Sequence, residues 1–411
     1  MADLKVEVDP IEVGLDAERL QRIDAHFARY VEDGRLPGWL AVVSRHGRVA
    51  HIASAGHRDV EAGLPVTSDT LFRIYSMTKP ITSVAAMMLY EEGAFELKDR
   101  VKWYLPAFAD TKVYKGGSAG SPQLEPQLGS MRIWHLLTHT AGLTYGFHHQ
   151  HPVDAMYRNH GFEWGSPKGM DTAATIDAVA KLPLVFQPGT SFNYSVATDV
   201  LGRLVEVWSG MPFDEFLRTR IFQPLGMDET TFWVEGDDVD RLAALYVPFG
   251  EGGRALRWDQ GGAAATKPQQ FLSGGGGLVS SAGDYHRFME MLRRKGELDG
   301  VRLLSPRTVD YMTRNHLPGG VDLEAFGQST WAETTFDGVG FGLGFSVVLD
   351  PVAYRSPASV GEFGWGGAAS TAFMIDPVED MTVAFYTQLL PSSTYPIRTQ
   401  LKQLAVQAII D

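Results

Sequence analysis

Cysteine is absent from the 411 residues, which excludes disulfides, thiolate metal sites and cysteine nucleophiles. Positive charge is scarce: 36 Lys and Arg against 49 Asp and Glu leave a formal charge of −13. No Lys/Arg run offers a basic face for phosphate backbones, so nucleic acid is not an expected partner. A membrane is not expected either, because no stretch approaches the ~20 apolar residues that cross a bilayer. Met1-Ala2-Asp3-Leu4-Lys5-Val6-Glu7 lacks the apolar run of a secretory signal, so the expected compartment is the cytoplasm. What is abundant is core material: 44% of the residues are hydrophobic and only 21% charged. Single cores tend to divide beyond roughly 250–300 residues, so the expectation is two lobes that share a cleft.

Leu20, Ile23, Phe27 and Val31 recur at helical spacing over residues 17–31, ahead of Asp33-Gly34, and predict an amphipathic helix. A hairpin follows, with Trp39–Val43 and Val49–Ala53 separated by the turn residues Arg45-His46-Gly47. A helix is expected from about Ser76 to Glu92. From about 101 to 284 the chain turns to Gly, Pro and polar loops with short helices near Thr172–Ala180 and Thr198–Trp208. Strands are expected again around 340–348, 370–375 and 381–385, with a closing helix from about Tyr395. The reading is an α/β sheet domain split between residues 1–100 and 285–411, with a mostly helical lobe, 101–284, inserted.

Ser76-Met77-Thr78-Lys79 is the one S-x-x-K in the chain. Pro80 has no N–H to donate and is tolerated in the first helical turn, so Ser76 sits at a helix N-terminus. Residues i and i+3 share a helix face with Cβ atoms roughly 5–6 Å apart, which lets the Lys79 amine reach the Ser76 hydroxyl. The free N–H groups and positive dipole end favour a developing oxyanion there. Taken alone, the same residues also read as an N-cap followed by a solvated lysine. Two further stretches weigh against that: Pro188-Gly189-Thr190-Ser191-Phe192-Asn193-Tyr194-Ser195 brings a tyrosine to the start of a helix, as a proton relay. Phe363-Gly364-Trp365-Gly366-Gly367-Ala368 precedes a strand with glycines that permit close backbone approach. The Ala368 N–H then joins that of Ser76 as an oxyanion hole. Tyr75, Tyr145, Phe147, Phe192 and Trp365 are candidates to line an apolar acyl pocket.

In this order the three stretches resemble the serine β-lactamase and D-Ala-D-Ala peptidase superfamily, and in detail its family VIII carboxylesterase branch. Leu136–Leu143, Pro224–Met227 and Gly274–Ser280 look similar to that branch too. The resemblance implies an antiparallel sheet flanked by helices plus a mostly helical lobe, with the active site in the cleft. It implies that Ser76 is acylated, that Lys79 and Tyr194 share the acid and base roles, and that Trp365-Gly366-Gly367 occupies the third-motif strand. No cofactor or metal is implied. Class C β-lactamases carry Tyr-Ser-Asn and Lys-Thr-Gly where this chain has Tyr194-Ser195-Val196 and Trp365-Gly366-Gly367. Val196 cannot bond an amide, and Trp365 removes a cation, which favours small neutral ester substrates, with cephalosporin hydrolysis secondary.

Gly116-Gly117-Ser118-Ala119-Gly120 matches G-x-S-x-G, but a nucleophile elbow needs a strand before and a helix after, and this stretch reads as a loop. His139, His148, His149, His151 and His160 cluster in sequence without H-E-x-x-H spacing and read as a polar loop. An acyltransferase is the near rival, since the fungal statin side-chain acyltransferases resemble the chain in the same three motifs. A non-catalytic peptide- or penicillin-binding module is the distant one.

Overall fold

The break at Arg45-His46-Gly47 is a tight hairpin turn. His46 and Gly47 both take positive φ, 54° and 72°, the backbone hand that matches the twist of the flanking strands. In the computed structural model, which describes residues 4–327 and 336–411, this turn joins β1 (Gly38–Arg45) to β2 (Arg48–Asp59), and β3 (Leu64–Pro65) follows. The stretch 340–348 is not one strand but two, β4 (Val339–Phe341) and β5 (Ser346–Val348). The chain reverses between them at Gly344, whose φ is +97° and where a Cβ would overlap the Ser83 hydroxyl. Then come β6 (Phe363–Gly366), β7 (Ala372–Asp376) and β8 (Met381–Tyr386). Trp365 thus lies within a strand rather than ahead of one, and β7 starts at 372 because residues 367–371 form a turn. All eight make one antiparallel sheet, in the order β4-β5-β6-β7-β8-β1-β2-β3. β1 holds the two ends of the chain together, since Leu40 faces Ser54 on β2 and Tyr386 on β8.

The helices that matter are α1 (Ala17–Glu32), α2 (Thr78–Glu91), α3 (Thr172–Val179), α4 (Ala197–Ser209), α5 (Ala282–Arg293) and α6 (Ile397–Val406). Asp16 caps α1 by accepting the Arg19 N–H at 3.0 Å, satisfying one of the donors a helix start leaves free. The buried face of α1 is Leu20, Ile23, Phe27 and Tyr30. With Ile397 and Leu401 of α6 it covers the sheet face that carries Trp39, Ala41, Val43 and Phe385. Phe27 centres this layer, its ring 4.6 Å from Phe385 and 5.8 Å from Trp39, and burial of one such side chain contributes about 1.5–3 kcal/mol.

Leu40, Val42 and Tyr386 point to the opposite face, into a larger core shared with α2, α4 and α5. Because helices cover both faces, all eight residues of β1 are buried. Its stretch Trp39–Val43 accordingly reads as a continuous apolar run without polar alternation. The large core runs on from the sheet through Ile81 and Val84 to Val200, Leu204 and Phe213. α5 spans positions 284 and 285 and packs on β7 and β8. Residues 101–284 also hold two small ribbons, Val113–Ser118 with Ser121–Glu125 and Tyr246–Phe249 with Arg254–Arg257. Among the described residues no helix is long and apolar enough to cross a membrane.

Candidate active site

The segment that carries the serine is held from both sides. Leu71–Arg73 pairs with Val279–Ser281, and the Ile74 N–H donates to Leu278 O at 3.0 Å. Tyr75 then takes φ +42°, a conformation uncommon for a bulky L-residue, and Tyr75–Met77 form one 3-10 turn that runs straight into α2. Ser76 therefore stands at the helix mouth, half-buried. Lys79, one turn on, is 2% exposed. Its Nζ donates to Ser76 Oγ at 3.2 Å and to the Gly275 carbonyl at 2.6 Å. It also lies 4.4 Å from the centre of the Tyr194 ring and 5.3 Å from that of Tyr145, an aromatic enclosure that attracts a cation. The Tyr194 hydroxyl accepts the Trp365 indole N–H at 3.2 Å, which leaves its own proton free to donate. Ser76, Lys79, Tyr194 and Trp365 are thus brought together from α2, the approach to α4, and β6.

Gly367 follows β6 and touches the serine segment. A Cβ there would overlap the Ile74 carbonyl oxygen and the Thr371 hydroxyl. The turn it opens is closed by Gly367 N–H to Thr371 O at 2.8 Å and Ser370 N–H to Gly367 O at 3.1 Å. Ala368 sits in this turn, packed with Tyr75 against Leu245, Ala369 and Leu390. Among the described residues no acceptor takes the N–H of Ser76 or of Ala368.

Other expected positions divide. Phe147 stacks on Tyr145 with centroids 4.6 Å apart, and Tyr145 in turn lies 5.6 Å from the Tyr194 ring. These rings form a wall beside Lys79. Phe192 is 1% exposed among Leu317, Leu323, Val339 and Phe341, so it is core. Val196 starts α4 half-buried against the large core. Ser118 ends an exposed hairpin strand paired with Ser121 and is followed by a second strand. It is neither a loop residue nor an elbow. Three of the five histidines take separate partners: His139 Nδ1 meets Ser195 Oγ at 3.2 Å, His149 meets Glu163 at 3.3 Å, and His151 Nδ1 accepts Val153 N–H to cap a helix. Among the described residues no group of three or more metal-type side chains converges.

The supports of Lys79 escaped the sequence reading. Asp199 on α4 is buried, and its Oδ1 accepts the Ser273 hydroxyl at 2.6 Å and the Gly275 N–H at 3.0 Å. The residue whose carbonyl holds Lys79 is thereby anchored, through its own N–H, by a carboxylate. Burial raises the Asp199 pKa, and Ser273, Lys79 and the Gly275 N–H pull it back. A Cβ on Gly275 would come within 2.8 Å of Asp199 Oδ2 and 2.9 Å of the Tyr145 hydroxyl, so a larger residue would displace one or both. The run Gly274–Gly277 was the available signal. Burial, reinforced by the nearby positive charge of Lys79, pushes His139 well below the ordinary histidine value, and it remains neutral beside the Tyr194 ring.

Such a site can attack an acyl carbon and hold the resulting negative charge, and comparison with known proteins points the same way. The chain is 37% identical over 362 residues to Protein Rv1367c of Mycobacterium tuberculosis, covering 87% of each. It is 32% identical to Esterase EstB of Burkholderia gladioli, over 92% of this chain and 93% of the other. Among solved structures, EstCE1, described as a hydrolase with promiscuous acyltransferase activity, superposes with a TM-score of 0.76 at 28% identity, covering 95% of this chain and 98% of its own. Residues 23–407 match the Beta-lactamase family model, and with the sheet, the helix-borne serine and these relatives in view, the chain belongs to the beta-lactamase family, on a scaffold of serine hydrolases and acyltransferases.

Proposed function

We propose that this chain is a serine carboxylesterase of the family VIII kind, hydrolysing short-chain carboxylic esters through an acyl-enzyme on Ser76. The observation that carries the reading is the buried Lys79 Nζ at 3.2 Å from Ser76 Oγ. Lys79 as the free amine takes the serine proton while Oγ attacks the ester carbonyl. The N–H groups of Ser76 and Ala368 hold the oxyanion. Tyr194, in contact with Lys79, passes the proton to the departing alcohol, and the same pair then activates the water that releases the acid. Val196 and Trp365 offer neither an amide-binding group nor a cation, which fits neutral esters and makes cephalosporin hydrolysis a weak side activity.

Transfer of the acyl group to an alcohol is the second reading, favoured by the dual activity in the description of EstCE1. It uses the same acyl-enzyme and differs only in the acceptor. The test is a panel of short- to long-chain p-nitrophenyl esters, with and without a competing alcohol, on wild type and Ser76→Ala. Turnover confined to short chains, free acid as the main product, an acyl adduct on Ser76 by mass spectrometry and background rates in Ser76→Ala are expected. Ester product dominating over acid would establish the transferase. An adduct on Ser118, or no adduct and no turnover, would sink the assignment, the latter in favour of a binding module.

A further inference from the structure

Gly366 is glycine for a reason unconnected with turns. A Cβ there would overlap the guanidinium of Arg398, at the start of α6, which lies directly on the backbone of β6. From that position Arg398 Nη2 donates to the Gly367 carbonyl at 3.0 Å and approaches the Thr371 carbonyl at 3.4 Å. Both ends of the turn that presents Ala368 are therefore gripped by one cation. The Gly367 carbonyl and the Ala368 N–H belong to the same planar peptide. A charged donor on the oxygen fixes the direction of the N–H on the other side. It also draws electron density toward the oxygen, which strengthens the N–H as a donor, since hydrogen bonds in a chain polarise one another.

We propose that Arg398 is a positioning residue that aims and polarises the Ala368 N–H for the oxyanion. The inference rests on the role given to Ala368 in the esterase reading. Arg398 also borders a cavity with Trp365, Tyr354 and Lys402, so a direct hold on substrate is the competing role, and the test separates the two. Arg398→Lys and Arg398→Met are compared with wild type for kcat, KM and melting temperature. The acyl-enzyme trapped from a slowly hydrolysed, carbonyl-labelled ester is then examined by isotope-edited infrared spectroscopy.

Removing an oxyanion donor outright costs ~10²–10³ in kcat. Weakening one is expected to cost Arg398→Met roughly tenfold with KM unchanged, and to raise the acyl carbonyl stretching frequency. Arg398→Lys should fall between the two. An unmoved carbonyl band with kcat intact overturns the proposal, as does a rise in KM alone, which assigns Arg398 to substrate. A loss of melting temperature with the band unmoved reduces it to a structural role. Mass spectrometry of the wild type keeps the two readings apart: without acylation at Ser76 the esterase assignment falls and this one with it, whereas acylation with an insensitive band removes this one only.

Discussion

Tyr194 faces two demands at the scale of a single residue: its ring lies against Lys79 Nζ and its hydroxyl holds the Trp365 indole. Phenylalanine meets the first and not the second. Tyr194→Phe should therefore fold normally and bind ester with a similar KM, while kcat falls by ~10²–10⁴, the usual share of a positioned acid or base. Rapid-quench measurement of acylation would check this, and an unchanged acylation rate would remove Tyr194 from the relay. Ser76 and Lys79 were legible because three residues on one helix is a local distance that a proline in the first turn makes certain. Asp199 was not, and neither was the meeting of Tyr145 and Gly275 with Lys79, because what joins them is the packing of α4 against α2 and a loop some 200 positions away in the chain. Nothing in the spacing of these residues records that meeting.

At the scale of elements, α2 shows where periodicity misleads. Ile81, Val84, Ala85, Met88 and Leu89 recur in its sequence as an apolar stripe, yet Thr78 through Leu89 are all buried. Thr82 Oγ1 bonds Gly274 O at 2.8 Å, and Ser83 fills the space beneath Gly344. Small polar residues thus let other backbones close on the helix from the sides the stripe leaves over. The turn after β6 depends on closeness of the same kind. Gly367→Ala would drive a methyl into the Ile74 carbonyl and the Thr371 hydroxyl, and such overpacking costs about 1–3 kcal/mol. The turn is the part that can yield, so the expected outcome is at least a tenfold loss of kcat with a modest drop in melting temperature. Activity retained at the wild-type level would show that the contact between this turn and the serine segment is not needed for catalysis.

For the whole molecule, burial of histidines sets the response to acid. Desolvation lowers His135, His148 and His286 from 6.5 to about 4. Between those values the unfolded chain binds protons that the folded protein refuses, so stability falls as the pH drops, by about 1.4 kcal/mol per pH unit for each group in the steep part of the window. Asp284 acts in the opposite sense. Burial raises it from 3.8 to about 6, so in that range the folded state holds the extra proton and acid stabilises, offsetting one histidine. A net fall in melting temperature from pH 6.5 toward 4.5 is expected by circular dichroism, and a flat profile would contradict it. The sequence by itself determined the class of fold and placed the candidate groups of the site. Hydroxyl, amine and phenol lie in short stretches whose helix starts and turns are local, and the terminal strands declare themselves by apolar β-rich runs. Only the tertiary structure decided that β1 pairs with β8, that the turn after β6 lays Gly367 against the serine segment, and that Asp199 and Arg398 brace the peptides around the site. Those contacts come from packing between distant parts of the chain, and close backbone approach leaves no more trace in the sequence than a glycine.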